Sequence, residues 1–84
     1  MKFKVECAFL LENKAYVLAR RLDDRDFSLS PSSQLGGVPI NCSVTQPRKL
    51  KPDGTPDYDI FGFTLSRSED LSKFSLDQIV ELET

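Results

Sequence analysis

Apolar and polar residues alternate with a period of two along most of this chain, the pattern of strands with one buried side. Phe3, Val5, Cys7, Phe9 and Leu11 fall on one face and Lys4 and Glu6 on the other, while Ala8 and Leu10 blur the far end. Glu12-Asn13-Lys14 predicts a turn, because asparagine tolerates the left-handed conformation. The chain returns through Ala15 to Leu22, rich in Tyr16, Val17 and Leu18, so the two runs predict a hairpin. Residues 23 to 37 break the alternation. Asp23-Asp24-Arg25-Asp26 is polar, and Ser28-Leu29-Ser30-Pro31-Ser32-Ser33 has the composition of a loop. Phe27 and Leu29, at i and i+2, are expected to cap one open end of a barrel. Gly36-Gly37 allows a sharp bend into the next strand.

That strand is Val38 to Gln46, with Val38, Ile40, Cys42 and Val44 on one face and Asn41, Ser43 and Thr45 on the other. Pro39 near its start marks an edge or a strand beginning, because proline donates nothing to a ladder. A turn centred on Pro52-Asp53-Gly54 follows. The next strand is Asp57 to Ser66, where Phe61, Phe63 and Leu65 face one way and Gly62, opposite them, marks a bulge or tight bend. In the polar connection 67–76, Ser68, Glu69 and Asp70 start one short helical turn that sets Leu71 and Phe74 on the core. Gln78 to Glu83 is the last strand, carrying Ile79, Val80 and Leu82. The expected fold is all-β: one domain over residues 1–84, a small antiparallel barrel of five to six strands with at most one short helical turn. Closure removes the edges that so small a sheet would expose.

Composition narrows the function classes. At 84 residues the core is thin, since a chain of this size buries only about 60–65% of its unfolded surface. The net charge of -2, from 11 basic and 13 acidic residues, supplies no broad basic field for duplex nucleic acid. No apolar run approaches the ~20 residues of a membrane span. Met1-Lys2-Phe3-Lys4 has no apolar h-region of a signal peptide, so a cytoplasmic protein is expected. The chain has no histidine, which excludes Ser-His-Asp and Cys-His nucleophiles and His-based metal sites. Cys7 and Cys42 lack C-x-x-C spacing and read as small buried apolar residues; a disulfide between them would need an oxidising compartment.

Several stretches carry a resemblance. Val5-Glu6-Cys7-Ala8-Phe9 stands where the translation-protein β-barrel has its "ied-v-f" strand, and Ala15-Tyr16-Val17-Leu18-Ala19-Arg20-Arg21-Leu22 resembles that family's "GtVvtGrV" return strand. Phe63-Thr64-Leu65-Ser66-Arg67-Ser68-Glu69-Asp70-Leu71, then Phe74-Ser75-Leu76-Asp77-Gln78-Ile79-Val80, resembles "v-l-L-R-g-i-k-r-e-D-i-e-r-G-q-v-l". In this order the chain is similar to the second domain of elongation factor Tu and its relatives. Asn13-Lys14-Ala15 replaces the family's glycine turn, and Asp77 replaces the glycine before "q-v". The resemblance implies a barrel that holds the aminoacyl end of tRNA or docks on the ribosome. It implies no GTP hydrolysis, because the chain contains no G-x-x-x-x-G-K-[ST] loop.

The candidate chemistry is sparse. Asp53, Asp57 and Asp59 flank Gly54, but not with the D-x-D-x-D-G order of a calcium loop, and they read as a solvated face. Asp23, Asp24 and Asp26 read the same way, screened by Arg20, Arg21 and Arg25. The serines at 28, 30, 32 and 33 have no S-x-x-K among them and read as loop formers. Arg48, Lys49 and Lys51 form a compact basic group beside the ring of Tyr58, the combination with which a small barrel grips single-stranded nucleic acid. These four are the candidate binding residues. The expectation is therefore a protein without catalytic residues, metal or cofactor, docking on a protein partner through edge strands and the 23–37 and 47–57 loops. RNA binding, a small molecule at a barrel mouth near Phe27 and Tyr58, and a homodimer through an edge strand are the alternatives.

Overall fold

In the computed structural model, which describes residues 1–47 and 50–84, six strands close into an antiparallel barrel. They are β1 (Lys2–Leu11), β2 (Lys14–Arg21), β3 (Gln34–Leu35), β4 (Val38–Thr45), β5 (Ile60–Leu65) and β6 (Ile79–Glu83), in the spatial order β1-β2-β5-β4-β3-β6 and back to β1. The strand absent from the sequence reading is β3, two residues inside the 23–37 loop whose pairing to β4 and β6 completes the ring. A run that short carries no readable alternation.

Local chemistry explains both hairpins. Glu12 and Asn13 form a two-residue turn with φ of 52° and 66°, and Gly36-Gly37 forms the other with φ of 61° and 81°. Positive φ at both central residues is the primed turn whose twist matches that of paired strands. The 3-10 helix Ser68–Lys73 forms where expected and sets Leu71 and Phe74 against the core. Its Asp70 is only 2% exposed and lies 3.3 Å from Arg67 Nε and 3.1 Å from Lys73 Nζ. Phe27 and Leu29 also pack on the core. The Phe27 ring meets Phe3 at 5.3 Å and Phe61 at 5.0 Å, both edge to face, a preferred geometry for aromatic pairs.

Two readings of the faces, in β1 and in β4, are corrected by bulges. Val5 pairs with Ala19 but Cys7 pairs with Leu18, so Glu6 is an extra residue in β1. Beyond it the phase inverts: Phe3 and Val5 are buried, whereas Cys7 and Leu11 are exposed and Phe9 is half-buried outside. Ala8 replaces them on the core side. In β4, Ile40 pairs with Leu65 and Val44 with Phe63, so residues 41–43 stand against the single Thr64. Val38 and Ile40 therefore reach the core, and Cys42 and Val44 do not. Both cysteines are consequently exposed and free, not buried. At Gly62 the cause is a close approach: a Cβ there would lie 2.5 Å from Thr45 Oγ1 and 3.3 Å from Leu18 Cδ2.

Closure removes most of the sheet's edges, as expected, and so limits the edge strands on which docking was expected. Every strand has a neighbour on each side. Among the described residues β1 keeps a short edge, because β6 pairs with it only from Lys2 to Lys4, with two further backbone bonds at Val5, and β4 keeps another beyond Ile40, because β3 pairs with it only at Val38 and Pro39.

Candidate functional site

Of the four predicted binding residues, Arg48 and Lys49 lie outside the described residues. Lys51 opens a tight turn: its carbonyl accepts from Gly54 N at 2.9 Å, and its own N–H reaches Thr55 O at 2.8 Å. The Asp53 carboxylate accepts from Thr55 N at 3.0 Å and Thr55 Oγ1 at 2.7 Å, bonds that hold its carboxyl below the usual carboxylate range. Lys51 is exposed, and Tyr58 is 65% exposed, tied to Gln46 only through its backbone carbonyl. Both belong to one excursion between β4 and β5.

Of the acids of that excursion, Asp53 is exposed as expected, whereas Asp57 and Asp59 are drawn into ion pairs. Asp57 is only 4% exposed. Arg20 Nη1 and Nη2 donate to its two carboxylate oxygens at 3.3 and 2.8 Å, and Arg20 Nε donates to Glu6 Oε1 at 2.8 Å. Guanidinium and carboxylate match in two parallel bonds. These bonds hold the Asp57 carboxyl below its ordinary range and raise the Arg20 guanidinium above its own. Asp59 is paired with Arg21 at 2.8 Å, and the Arg21 guanidinium lies 5.6 Å from the centre of the Phe61 ring. Asp57 and Asp59 are thus fasteners between β2 and the incoming excursion. The bulge residue Glu6 completes the fastening from β1. Alternation cannot reveal such pairs, since the partners stand 37 and 38 positions apart.

At the barrel mouth, Phe27 fills the opening. An open cleft of about 380 Å³ beside it is lined by Met1, Arg25, Asp26, Phe27, Ser28, Leu82 and Thr84, and Tyr58 is not among these residues. The 23–37 loop turns inward through Phe27, Leu29 and the fully buried Ser33, which leaves little of its apolar surface for a partner.

The apolar surface lies elsewhere, on the outer face of the β1–β2 hairpin. Cys7 stands opposite Leu18, Phe9 opposite Tyr16 and Leu11 opposite Lys14. The Phe9 and Tyr16 rings stack with centroids 5.6 Å apart and planes inclined by 25°. Leu11 is exposed beside them, and Leu10, 59% exposed, projects from the other face of the tip. A signal for this face was present in the sequence. Cys7 to Leu11 is an unbroken apolar run, and a strand with one side on a core leaves alternate members of such a run in water. Among the described residues no helix is long and apolar enough to cross a membrane. Comparison of the chain with protein-family models, curated proteins and solved structures returned no match.

Proposed function

We propose that this chain is a non-catalytic interaction module of the elongation factor Tu domain 2-like type, which docks on a protein partner in the cytoplasm through the outer face of the β1–β2 hairpin. The observation that carries the reading is the stacked, half-buried Phe9–Tyr16 pair on the outer face, with Leu18 and the exposed Cys7 and Leu11 around it. Aromatic residues concentrate at protein interfaces because they bury large areas at small entropic cost. The likeness to the translation-protein barrel draws support from two backbone angles. Asn13, in the turn that replaces the family's glycine turn, and Asp77, in place of a family glycine, both have φ of 66°. That is the conformation glycine adopts without strain.

The test is retention from native lysate on immobilised protein across a range of salt concentrations. The wild type is expected to hold one partner stably, and Tyr16→Lys, with an unchanged melting curve, to lose it. A partner held equally by both would remove the hairpin face from the reading.

The exposed ring of Tyr58, on the same excursion as Lys51, favours RNA as a second reading. Charge reversal at Arg48, Lys49 and Lys51 should then abolish RNA binding together with its salt dependence. Binding unchanged by reversal would end that reading.

A further inference from the structure

We infer that the short free edge of β1 at Ala8 and Leu10 is a self-association site, where a second copy of this chain adds its own residues 7–11 antiparallel across a two-fold axis. This goes beyond partner docking, since it concerns the edge of the strand and not its face.

Hydrogen-bond accounting locates the edge. Upstream of the bulge, Val5 turns both its backbone groups to the β6 side, donating to Gln78 O and accepting from Asp77 N, each at 2.8 Å. The extra residue Glu6 inverts that phase. Downstream, the two-residue turn makes Leu11 and Lys14 a hydrogen-bonded pair, and bonded pairs alternate along an antiparallel ladder. Cys7, Phe9 and Leu11 therefore bond toward β2, and Ala8 and Leu10 direct their N–H and C=O away from it. Among the described residues no backbone or side-chain group bonds to Ala8 or Leu10 on that side, because β6 leaves β1 at Gln78.

The edge is self-complementary. Using both outward-facing residues in one pairing requires Ala8 opposite Leu10 of the second copy, Leu10 opposite its Ala8, and Phe9 on the axis. That arrangement is isologous, as a two-fold dimer requires. Cys7 then lies beside Leu11 of the second copy, and the two Phe9 rings become a cross-strand aromatic pair. Residues 7–11 bear no charge that two copies would set against each other. Glu6, which this register brings toward Glu12 of the second copy, is held by Arg20 at 2.8 Å, a guanidinium that it shares with Asp57. The edge also lacks the lysine or proline with which natural edges resist pairing. The resulting dimer joins the outer faces of two hairpins into one apolar surface.

Sedimentation of the full chain, followed from about 1 µM to about 1 mM, is expected to show the 9.5 kDa species converting to twice that mass. Over the same range, amide exchange at Ala8 and Leu10 should slow by roughly tenfold or more, while Cys7 and Phe9, already bonded to β2, stay unchanged. Leu10→Lys should remain monomeric throughout. If that variant fails to fold, Leu11→Cys in a Cys42→Ser background gives a second reading. Its new thiol faces Cys7 of the second copy in a non-hydrogen-bonded pair, so mild oxidation should yield a reducible covalent dimer. A chain that stays at 9.5 kDa to about 1 mM overturns the inference. So does a dimer whose Ala8 and Leu10 amides exchange as fast as in the monomer. Neither result bears on partner docking, which the Tyr16→Lys variant reads separately.

Discussion

At the barrel mouth, Phe3 contacts the rings of Phe27, Phe61 and Phe63 edge to face at 5.3, 6.2 and 5.2 Å, and the loop that delivers Phe27 closes over them. At the hairpin end, Phe9 stacks on Tyr16 at 5.6 Å on the outer face, where both rings are half-buried. Phe3 and Phe9 belong to one strand, six positions apart, and unbroken alternation would put them on the same face. One extra residue at Glu6 separates them. The lesson is that burial of an aromatic ring in a small barrel depends less on its hydrophobicity than on the parity of the positions before it. The inner ring acts in stability, and the outer one is free to act in recognition.

The largest expected effect tests that division directly. Phe3→Ala should cost about 3–5 kcal/mol, a large part of the stability of a domain this small, and leave little folded protein at 37 °C. Phe9→Ala should cost less than about 1 kcal/mol in the same denaturant titration, while weakening both partner retention and self-association. Equal losses of stability would break the comparison.

The next effect concerns how the two regions are fastened. Asp57→Asn removes the buried partner of Arg20 and should lower Tm by roughly 5–10 °C. The sign of the acid dependence follows from the depressed carboxyls of Asp57 and Asp70. Asp57 is depressed by Arg20, and Asp70 by Lys73 and Arg67. Their contribution is fully present above the unfolded carboxyl value of about 4 and is lost as pH falls through the lower folded values. Urea midpoints should therefore fall as pH drops below about 4, less steeply in Asp57→Asn than in the wild type. Parallel slopes would mean that Asp57 is not linked to acid unfolding.

Gly62 tests the outer face from below. An alanine there meets Thr45 Oγ1 at 2.5 Å, so Gly62→Ala should cost about 1–3 kcal/mol. Adding Thr45→Ala should restore most of the loss, and thermal unfolding of the single and double variants measures it. The smallest effect is at the hairpin tip. Glu12 holds a φ of 52°, which asparagine tolerates better, so Glu12→Asn should raise stability by about 0.5 kcal/mol. Partner retention should not change, because position 12 lies beyond the stacked rings.

Much was legible from residue order alone. The period-two alternation, the Asn13 and Gly36-Gly37 turns and the helical turn at Ser68 all rest on neighbours within a few positions. Local sterics decide such features wherever they occur. The candidate sites were read less well. Lys51 and Tyr58 are exposed as expected, but Asp57 is drawn inward by Arg20, and the apolar hairpin face was assigned to the core.

What residue order determined was the all-β barrel and most of the side chains that fill it, because alternation and turn chemistry are local. What only the tertiary structure decided was where the alternation slips, which acids meet which arginines, and which stretch of strand keeps an unpaired edge. A bulge is one residue counted against a partner strand, and an ion pair joins residues far apart in the chain. Neither quantity exists until the strands are brought side by side.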